Sequence, residues 1–258
     1  MTQPHVTRAT VAHANVARAR GASGYGVTGT DTGVGKTVVA AALAAALVHR
    51  GVRTGVLKPA ETGVAAGMEP PDAALLRVAA GAIHPIGTVC PFTFVEPLAP
   101  MIAADRDGRR IELAALDAAL VRAMDGCETV IVEGAGGLMV PIAEGVTYAT
   151  LFARWGLDLI IVAANRLGVL NHAVLTVHAA EAAGLHVRAV VLNTVTAAPA
   201  DLAASTNADT LRRLMPHQAI VTFPYLSDPH HIPSLAAAAQ SCGLVALLPL
   251  TLPDALCT

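Results

Sequence analysis

Residues 29–37 read GTDTGVGKT, and this stretch decides the fold of the chain. A β-type run at 25–28 precedes it, and a run rich in alanine, valine and leucine follows at 38–49. A strand, a glycine loop and a helix that opens on Gly-Lys-Thr predict a phosphate-binding P-loop. Glycines let backbone N–H groups curl around an anion, and the helix N-terminus adds free donors and a positive dipole end.

Lys36 and Thr37 are the two functional side chains of this loop. Lys36 would reach the β- and γ-phosphates of a nucleotide, and the Thr37 hydroxyl would contact Mg²⁺. The strict motif places four residues between the first glycine and Gly-Lys-Thr, whereas five follow Gly29. The sequence therefore predicts a P-loop that is one residue longer than the strict form.

The bulk composition argues against several classes of protein. The 258 residues are 54% hydrophobic and 14% charged, which predicts a sizeable core. A net charge of −2 and an aromatic content of 3% give no support for nucleic-acid binding. No apolar run reaches the length of a membrane span, so we expect no membrane partner. Four scattered cysteines without a C-x-x-C pair indicate reduced thiols and a cytoplasmic location.

The choice of basic residue is informative. Of 17 basic side chains only two are lysines, Lys36 and Lys58, and the other 15 are arginines. Lys36 lies in the P-loop and Lys58 ends the next strand, and α/β sheets bind ligands at the carboxyl ends of their strands. A compact ammonium suits a tight phosphate site better than a planar guanidinium does. We therefore predict that both lysines are catalytic. The alternative for Lys58 is that it and Pro59 only terminate the strand and have no part in the chemistry.

Strands and helices alternate along the chain, which predicts an α/β fold. We expect a single P-loop domain over 24–258, with a mostly parallel sheet of about seven strands and helices on both faces. Residues 1–23 have no acidic side chain and much alanine, and we expect a disordered extension. Three prolines predict irregular structure over 90–100, and a helix is expected over 173–183.

Two carboxylates stand out beyond the P-loop, and Glu133 is placed to face the metal of a nucleotide. Glu133 ends the buried strand 128–132 and is followed by GAGG, so its side chain would face Mg²⁺ directly or through water. Asp72 opens a helix after the glycine-rich loop 62–71. The alternatives are an exposed glutamate in a glycine turn and a simple helix-capping aspartate.

A set of short motifs between residues 25 and 226 resembles the dethiobiotin synthetase family, whose own P-loop has the longer form. The motifs are VTGTDT at 27–32, GKT at 35–37, KP at 58–59, TG at 62–63, DA at 72–73, PFTF at 91–94, EP at 96–97, VEGAGG at 132–137, LG at 167–168 and NH at 171–172. The resemblance implies an ATP- and Mg²⁺-dependent ligase of biotin biosynthesis. Members of the family carboxylate 7,8-diaminopelargonic acid with CO₂ and close the ureido ring of dethiobiotin.

The resemblance also implies roles for individual residues. Lys36 and Lys58 would neutralise phosphate and carbamate oxygens, while Thr37, Asp72 and Glu133 would hold Mg²⁺. The residues implied in nucleotide binding are Gly33, Val34, Gly35, Lys36, Thr37, Val38, Asp72, Glu133, Gly134, Ala135, Gly136, Asn193, Thr194, Pro224, Tyr225 and Leu226.

Asn193 would read the adenine edge, although an asparagine after a strand is as often a turn residue. Thr62 would hydrogen-bond the substrate. The resemblance places the segment formed by Gly168, Val169, Leu170 and Asn171 against the substrate carboxylate in a partner's site, which implies a homodimer with shared sites. At Gly33 some relatives carry glutamate, so any role of that carboxylate is in doubt here.

Two other functions remain as alternatives. A cobyrinic-acid-type amide synthase would need a glutaminase domain with a nucleophilic cysteine, and no such domain fits in this length. A switch ATPase of the partition or septum-site type carries an extra lysine early in the loop. Asp31, of opposite charge, stands at that place here.

Overall fold

A computed structural model describes residues 23–197 and 202–249. Ser23 already lies in the first strand, so all but the last residue of the expected extension 1–23 falls outside the described residues. The apolar tail beyond residue 249 also falls outside them.

The central sheet has six strands, and every pairing within it is parallel. The strands are β1 (Ser23–Gly29), β2 (Thr54–Leu57), β5 (Thr129–Gly137), β8 (Asp158–Ala164), β9 (Val187–Asn193) and β10 (Ile220–Phe223). Their spatial order is β10-β9-β8-β1-β5-β2, with the P-loop strand near the middle. The predicted α/β fold with a parallel sheet is confirmed, with six strands in this sheet rather than about seven.

The remaining elements are helices and two small sheets. The helices are α1 (Lys36–His49), α2 (Pro71–Ala79), α3 (Ile86–Val89), α4 (Pro100–Arg106), α5 (Leu113–Ala123), α6 (Tyr148–Trp155), α7 (Val169–Ala182), α8 (Leu202–Leu214) and α9 (Ile232–Ser241). The short strands are β3 (Ala60–Thr62), β4 (Phe92–Phe94), β6 (Pro141–Ala143) and β7 (Val146–Thr147).

Helices cover both faces of the sheet, as the buried strands require. Along β8, Leu159, Ile161 and Ala163 enter the core shared with α5, α6 and α7. The alternate residues Ile160 and Val162 enter the opposite core with α1, α2 and α9. Successive side chains of a strand point to opposite faces, so one continuous apolar run supplies both cores. None of the helices among the described residues is long and apolar enough to cross a membrane.

The expectation of irregular structure over 90–100 is wrong in two places. Residues 92–94 form β4, which pairs in parallel with β3, because the segment Phe-Thr-Phe contains no proline and favours a strand. Pro100 begins α4, a position at which proline loses no helical hydrogen bond.

Two helix starts also differ from expectation. α7 begins at Val169 rather than near residue 173, because Gly168 adopts a left-handed conformation (φ 93°) and ends the preceding loop. α6 was not expected from the sequence. Its capping box joins Thr147 to Thr150, and threonine replaces the usual glutamate or glutamine at the second position.

Candidate active site

The P-loop connects β1 to α1 at the carboxyl edge of the sheet, and its glycines are required by close contacts. Gly35 has a left-handed backbone (φ 87°), and a Cβ there would lie 2.1 Å from Nδ2 of Asn193. A Cβ on Gly29 would lie 2.7 Å from the carbonyl oxygen of Asp31 and 3.0 Å from Nζ of Lys36. Larger residues at either position would therefore displace the loop.

Asn193 supports this loop from the end of β9. Its side chain is buried, and Nδ2 donates a 2.9 Å hydrogen bond to the carbonyl oxygen of Val34. The two residues are 159 positions apart in sequence. They meet because the parallel strands β1, β8 and β9 all end at the same edge of the sheet.

Lys36 folds back over the loop to which it belongs. Its Nζ donates a 3.0 Å hydrogen bond to the carbonyl oxygen of Asp31. Burial lowers the pKa of Lys36 because it penalises the charged form, and the Glu133 carboxylate opposes this effect. The ammonium lies among backbone groups where phosphate oxygens bind in a P-loop.

Lys58 is the centre of a charged cluster below the loop. Its Nζ lies 2.5 Å from Oε1 of Glu133 and 2.8 Å from Oδ2 of Asp72. The hydroxyl of Thr37 donates a 2.8 Å hydrogen bond to the same Oε1. The register of β2 against β5 pairs Leu57 with Val132, so the residues that follow, Lys58 and Glu133, lie side by side. The expected end of the strand at residue 132 is wrong: β5 continues to Gly137, and Glu133 is fully buried within it.

The cluster shifts the pKa of each ionisable member. Burial alone would lower the pKa of Lys58, but Glu133 and Asp72 outweigh it and the pKa is raised. Burial would raise the pKa of Asp72, yet the adjacent Lys58 ammonium holds it below its ordinary value. The fully buried Glu133 has a raised pKa because its desolvation exceeds the attraction to Lys58. Lys58 is therefore held as an ammonium ion.

The same cluster offers oxygen ligands for a divalent cation. Oε2 of Glu133 is buried and has no hydrogen-bond partner among the described residues. Thr37 and Asp72 supply a hydroxyl and a second carboxylate beside it. The described residues contain no group of three or more His, Cys, Asp or Glu side chains fit to hold a metal. Two carboxylates and a hydroxyl nevertheless fit Mg²⁺, which keeps several waters and takes ligands from phosphates.

A cavity of about 720 Å³ joins the loop to the cluster. Its lining combines the charged and polar groups of the loop and the cluster with apolar side chains, among them Pro97, Leu98, Pro100 and Val140. The lining residues are Thr32, Gly33, Gly35, Lys36, Thr37, Val38, Lys58, Glu61, Thr62, Asp72, Pro97, Leu98, Ala99, Pro100, Glu133, Ala135, Gly136 and Val140.

Comparison with known proteins gives the family. Residues 23–231 match a family model described as an AAA domain. The chain is 41% identical over 222 residues to an ATP-dependent dethiobiotin synthetase of Anaeromyxobacter dehalogenans (strain 2CP-C), covering 86% of this chain and 96% of the relative. It is 40% identical over 206 residues to the Ralstonia nicotianae protein of that name, covering 79% of this chain and 89% of that one. The chain belongs to the dethiobiotin synthetase family.

Among solved structures, a ParA family ATPase from Chlorobium tepidum TLS matches this member of the dethiobiotin synthetase family. The match includes 87% of the present chain and 92% of the ATPase chain. The TM-score is 0.49 and the identity 15%.

Half of the residues implied by the dethiobiotin synthetase resemblance line the cavity, and others lie beside it. Val34 and Gly134 are buried near the lining residues. Thr194 follows β9 next to the P-loop, and its N–H donates to the carbonyl oxygen of Phe223. Pro224, Tyr225 and Leu226 follow β10 at the same edge of the sheet. Their roles in binding the base stay a prediction.

The segment 168–171 does not line this cavity. Gly168 and Asn171 are exposed at the start of α7, and Val169 lines a separate small cavity with Thr30, Asp31 and His172. This position agrees with a role in a neighbouring molecule's site, as the dethiobiotin synthetase resemblance implies, and that role also stays a prediction. Gly33, the position at which some relatives carry glutamate, lines the cavity. A Cβ added there would meet no atom within 4 Å.

Glu61 is a residue of the site that was not expected from the sequence. It lies in β3 between Lys58 and Thr62, is buried, and lines the cavity. Its place between Lys58 and Thr62, both already assigned to the site, is the signal that could have identified it, because buried carboxylates require partners.

Proposed function

We propose that this chain is an ATP-dependent dethiobiotin synthetase that converts 7,8-diaminopelargonic acid, CO₂ and ATP to dethiobiotin, ADP and phosphate. The observation that carries the proposal is the convergence of both lysines of the chain, Lys36 and Lys58, on one cavity beside the P-loop. All the remaining basic side chains of the sequence are arginines, and the two lysine ammonium groups lie at one site. The identity of 40–41% to the dethiobiotin synthetases of two bacteria supports the same activity.

The reaction proceeds in three steps under this proposal. One amine of the substrate adds to CO₂ and loses a proton, which gives a carbamate. A carbamate oxygen attacks the γ-phosphorus of ATP and ADP leaves, which gives a carbamic–phosphoric anhydride. The second amine then attacks the anhydride carbon and loses a proton, phosphate leaves with the bridging oxygen, and the ureido ring closes.

The two lysines stabilise charge at successive points of this path. Lys36 contacts phosphate oxygens from within the loop, and Lys58 faces the carbamate from the end of β2. Preorganised cations in a partly closed cavity stabilise the transition state because they need no reorientation during the reaction. Thr62, half-buried in the cavity wall, hydrogen-bonds the substrate.

Mg²⁺ bound by Thr37, Asp72 and Glu133 would neutralise charge on the transferring phosphoryl group. The loop N–H groups and residues 33–38 hold the phosphates. Asn193, Thr194 and the segment 224–226 surround the base, and because Nδ2 of Asn193 is already bonded to Val34, its contact to adenine falls to Oδ1.

The proposal includes a homodimer with shared sites. Its support is the exposure of the 168–171 segment together with two apolar side chains close to it. Leu167 directly precedes the segment and is 82% exposed, and Leu175 follows Asn171 by four residues on α7 and is 59% exposed. Helix α7 has no side-chain cap, so the backbone N–H groups of its first turn are free of a capping side chain. These donors suit the substrate carboxylate of a neighbouring subunit.

Two further parts of the proposal concern the whole chain. We treat residues 24–258 as one domain, since six strands of the described part join a single sheet. We place the protein in the cytoplasm, since Cys90, Cys127 and Cys242 are free thiols in the described residues.

An ADP-release assay tests the activity. Release should require both 7,8-diaminopelargonic acid and bicarbonate, and omission of either should abolish it. ATP turnover that persists unchanged without the diamine would contradict the proposal and favour the switch-ATPase alternative.

A further inference from the structure

The first turn of α2 is capped by a side chain from another element. Its N-cap residue, Pro70, makes no side-chain cap, and Pro71 at the first helical position has no N–H. Asp72 and Ala73 therefore carry the first unpaired donors of the helix. Oε1 of Glu61 accepts a hydrogen bond from the Asp72 N–H, and Oε2 accepts one from the Ala73 N–H, each at 3.0 Å.

Glu61 is built into this position rather than aimed at a ligand. Its side chain is only 4% exposed, and each carboxylate oxygen already accepts a backbone N–H. Burial raises the pKa of Glu61, while the two N–H bonds favour its charged form. A negative charge at a helix N-terminus is also stabilised by the helix dipole. The contacts therefore indicate support of α2 rather than direct chemistry.

Asp72 is the residue that this cap fixes. Its N–H is held by Glu61, and its carboxylate lies 2.8 Å from Nζ of Lys58. The residues that lead into α2, 65–69, are all exposed, so the approach to the helix has few contacts of its own. The cap thus joins the start of α2 to β3, the short strand that follows Lys58 and ends at Thr62.

We propose that Glu61 is a positioning residue, which sets the Asp72 carboxylate in the charged cluster by capping the first turn of α2. The inference rests on the proposed function to the extent that Asp72 is a metal ligand there. Groups that orient a metal ligand affect metal affinity even though they do not touch the metal.

Glu61→Gln tests the role with a readout that needs no turnover. Glutamine retains one acceptor oxygen but turns an NH₂ group toward a backbone donor. Mn²⁺ binding, followed by electron paramagnetic resonance with a non-hydrolysable ATP analogue, should weaken about tenfold. The Mg²⁺ concentration for half-maximal ADP release should rise by about the same factor, while kcat at saturating Mg²⁺ changes less than about threefold.

A double-mutant cycle shows whether Glu61 acts through Asp72. Asp72→Asn should weaken Mn²⁺ binding by itself, and adding Glu61→Gln should cause little further loss. Asp117→Asn is the matched control, because that carboxylate accepts hydrogen bonds from Arg154 and Trp155 in another part of the molecule. The control should lower the melting temperature and leave Mn²⁺ affinity unchanged.

A replacement helix cap tests the mechanism itself. It also keeps the test possible if the Glu61→Gln variant folds poorly. Pro70 has the extended backbone of an N-cap (φ −64°, ψ 117°), so Pro70→Ser in the Glu61→Gln background supplies a local acceptor for the first turn. Recovery of Mn²⁺ affinity is the expected result.

Three results would overturn the positioning role. The first is a Glu61→Gln variant that binds Mn²⁺ as tightly as the wild type, and the second is a loss of Mn²⁺ affinity from Glu61→Gln that adds in full to the loss from Asp72→Asn. The third is a folded Glu61→Gln, Pro70→Ser double variant that still binds Mn²⁺ about tenfold more weakly than the wild type. Wild-type protein that binds Mn²⁺ and the analogue but makes no dethiobiotin would contradict the proposed function alone.

Discussion

Lys58 and Glu133 form a buried ion pair, with Nζ 2.5 Å from Oε1, where Lys58 follows the end of β2 and Glu133 lies in the neighbouring strand β5. Asp72 contributes a second carboxylate, 2.8 Å from the same ammonium. A single internal cation therefore lies between the two carboxylates that we propose as ligands of Mg²⁺. This arrangement gives Lys58 two testable roles, one in catalysis and one in metal binding.

Lys58→Gln should lower turnover by about 10²-fold or more, the usual effect of removing one preorganised electrostatic contact. The KM for ATP should change much less, because Lys36 and the loop N–H groups hold the phosphates. Lys58→Arg should restore little activity, since the guanidinium is larger and planar. Steady-state ADP release measures both variants, and near-normal turnover of Lys58→Gln would leave Lys58 without a catalytic role.

Lys58→Met should strengthen Mn²⁺ binding in the absence of nucleotide. The variant removes the cation that competes for Asp72 and Glu133, and a nearby unit charge contributes on the order of a few kcal/mol, so affinity should rise about tenfold or more. The metal-free variant should also melt at a lower temperature, because the loss of one partner leaves a buried carboxylate uncompensated.

Lys36→Met is the control for this experiment. Its ammonium contacts the carbonyl oxygen of Asp31 rather than either carboxylate, so Mn²⁺ affinity should rise far less. Equal gains in both variants would show that the effect comes from net charge and not from the position of Lys58.

Asn193→Ala should raise the KM for ATP about tenfold, while kcat falls less. The variant removes the hydrogen-bond donor of the Val34 carbonyl in the P-loop, and leaving a buried carbonyl unpaired costs about 1–3 kcal/mol. Asn207→Ala is the matched control, since Asn207 is equally buried but donates to Asn165 and to the carbonyl oxygen of Arg166 rather than to a P-loop residue. Both variants should lose thermal stability. An unchanged KM in Asn193→Ala would show that the P-loop keeps its shape without this bond.

Leu175→Glu should dissociate the homodimer, because an exposed apolar side chain on α7 would be replaced by a charge within the proposed interface. Sedimentation at the assay concentration should give a monomer with weaker binding of the diamine and normal binding of ATP. Val78→Glu places the same charge on α2, and should leave the oligomeric state unchanged. A wild-type protein that is monomeric and fully active would contradict the shared site.

Elements with strong local patterns were predictable from the sequence. The continuous apolar run of β8 and the glycine loop with Lys36 identified the parallel sheet and its ligand edge. Strand ends placed Lys58 and Glu133 at that edge, and the structure brings them into contact. Both inferences needed only nearby residues and the rule that parallel strands end together.

Features that depend on distant partners were not predictable. The β3–β4 pair joins segments about thirty residues apart, and neither segment alone has the length of an ordinary strand. Asn193 was recognised at a strand end, but its bond to Val34 appears only when β1 and β9 are placed in one sheet. Glu61 was overlooked because the helix it caps begins with two prolines and shows no local capping residue.

The most direct test of the central proposal follows the oxygen atoms of CO₂. With ¹⁸O-labelled CO₂, the carbamate carries two labelled oxygens, one of which attacks the γ-phosphorus. Mass spectrometry of the phosphate after a single turnover should then find one ¹⁸O per phosphate released, with the other in the ureido carbonyl of dethiobiotin. Unlabelled phosphate would mean that water attacks ATP, and would contradict carbamate phosphorylation at the site of Lys36 and Lys58.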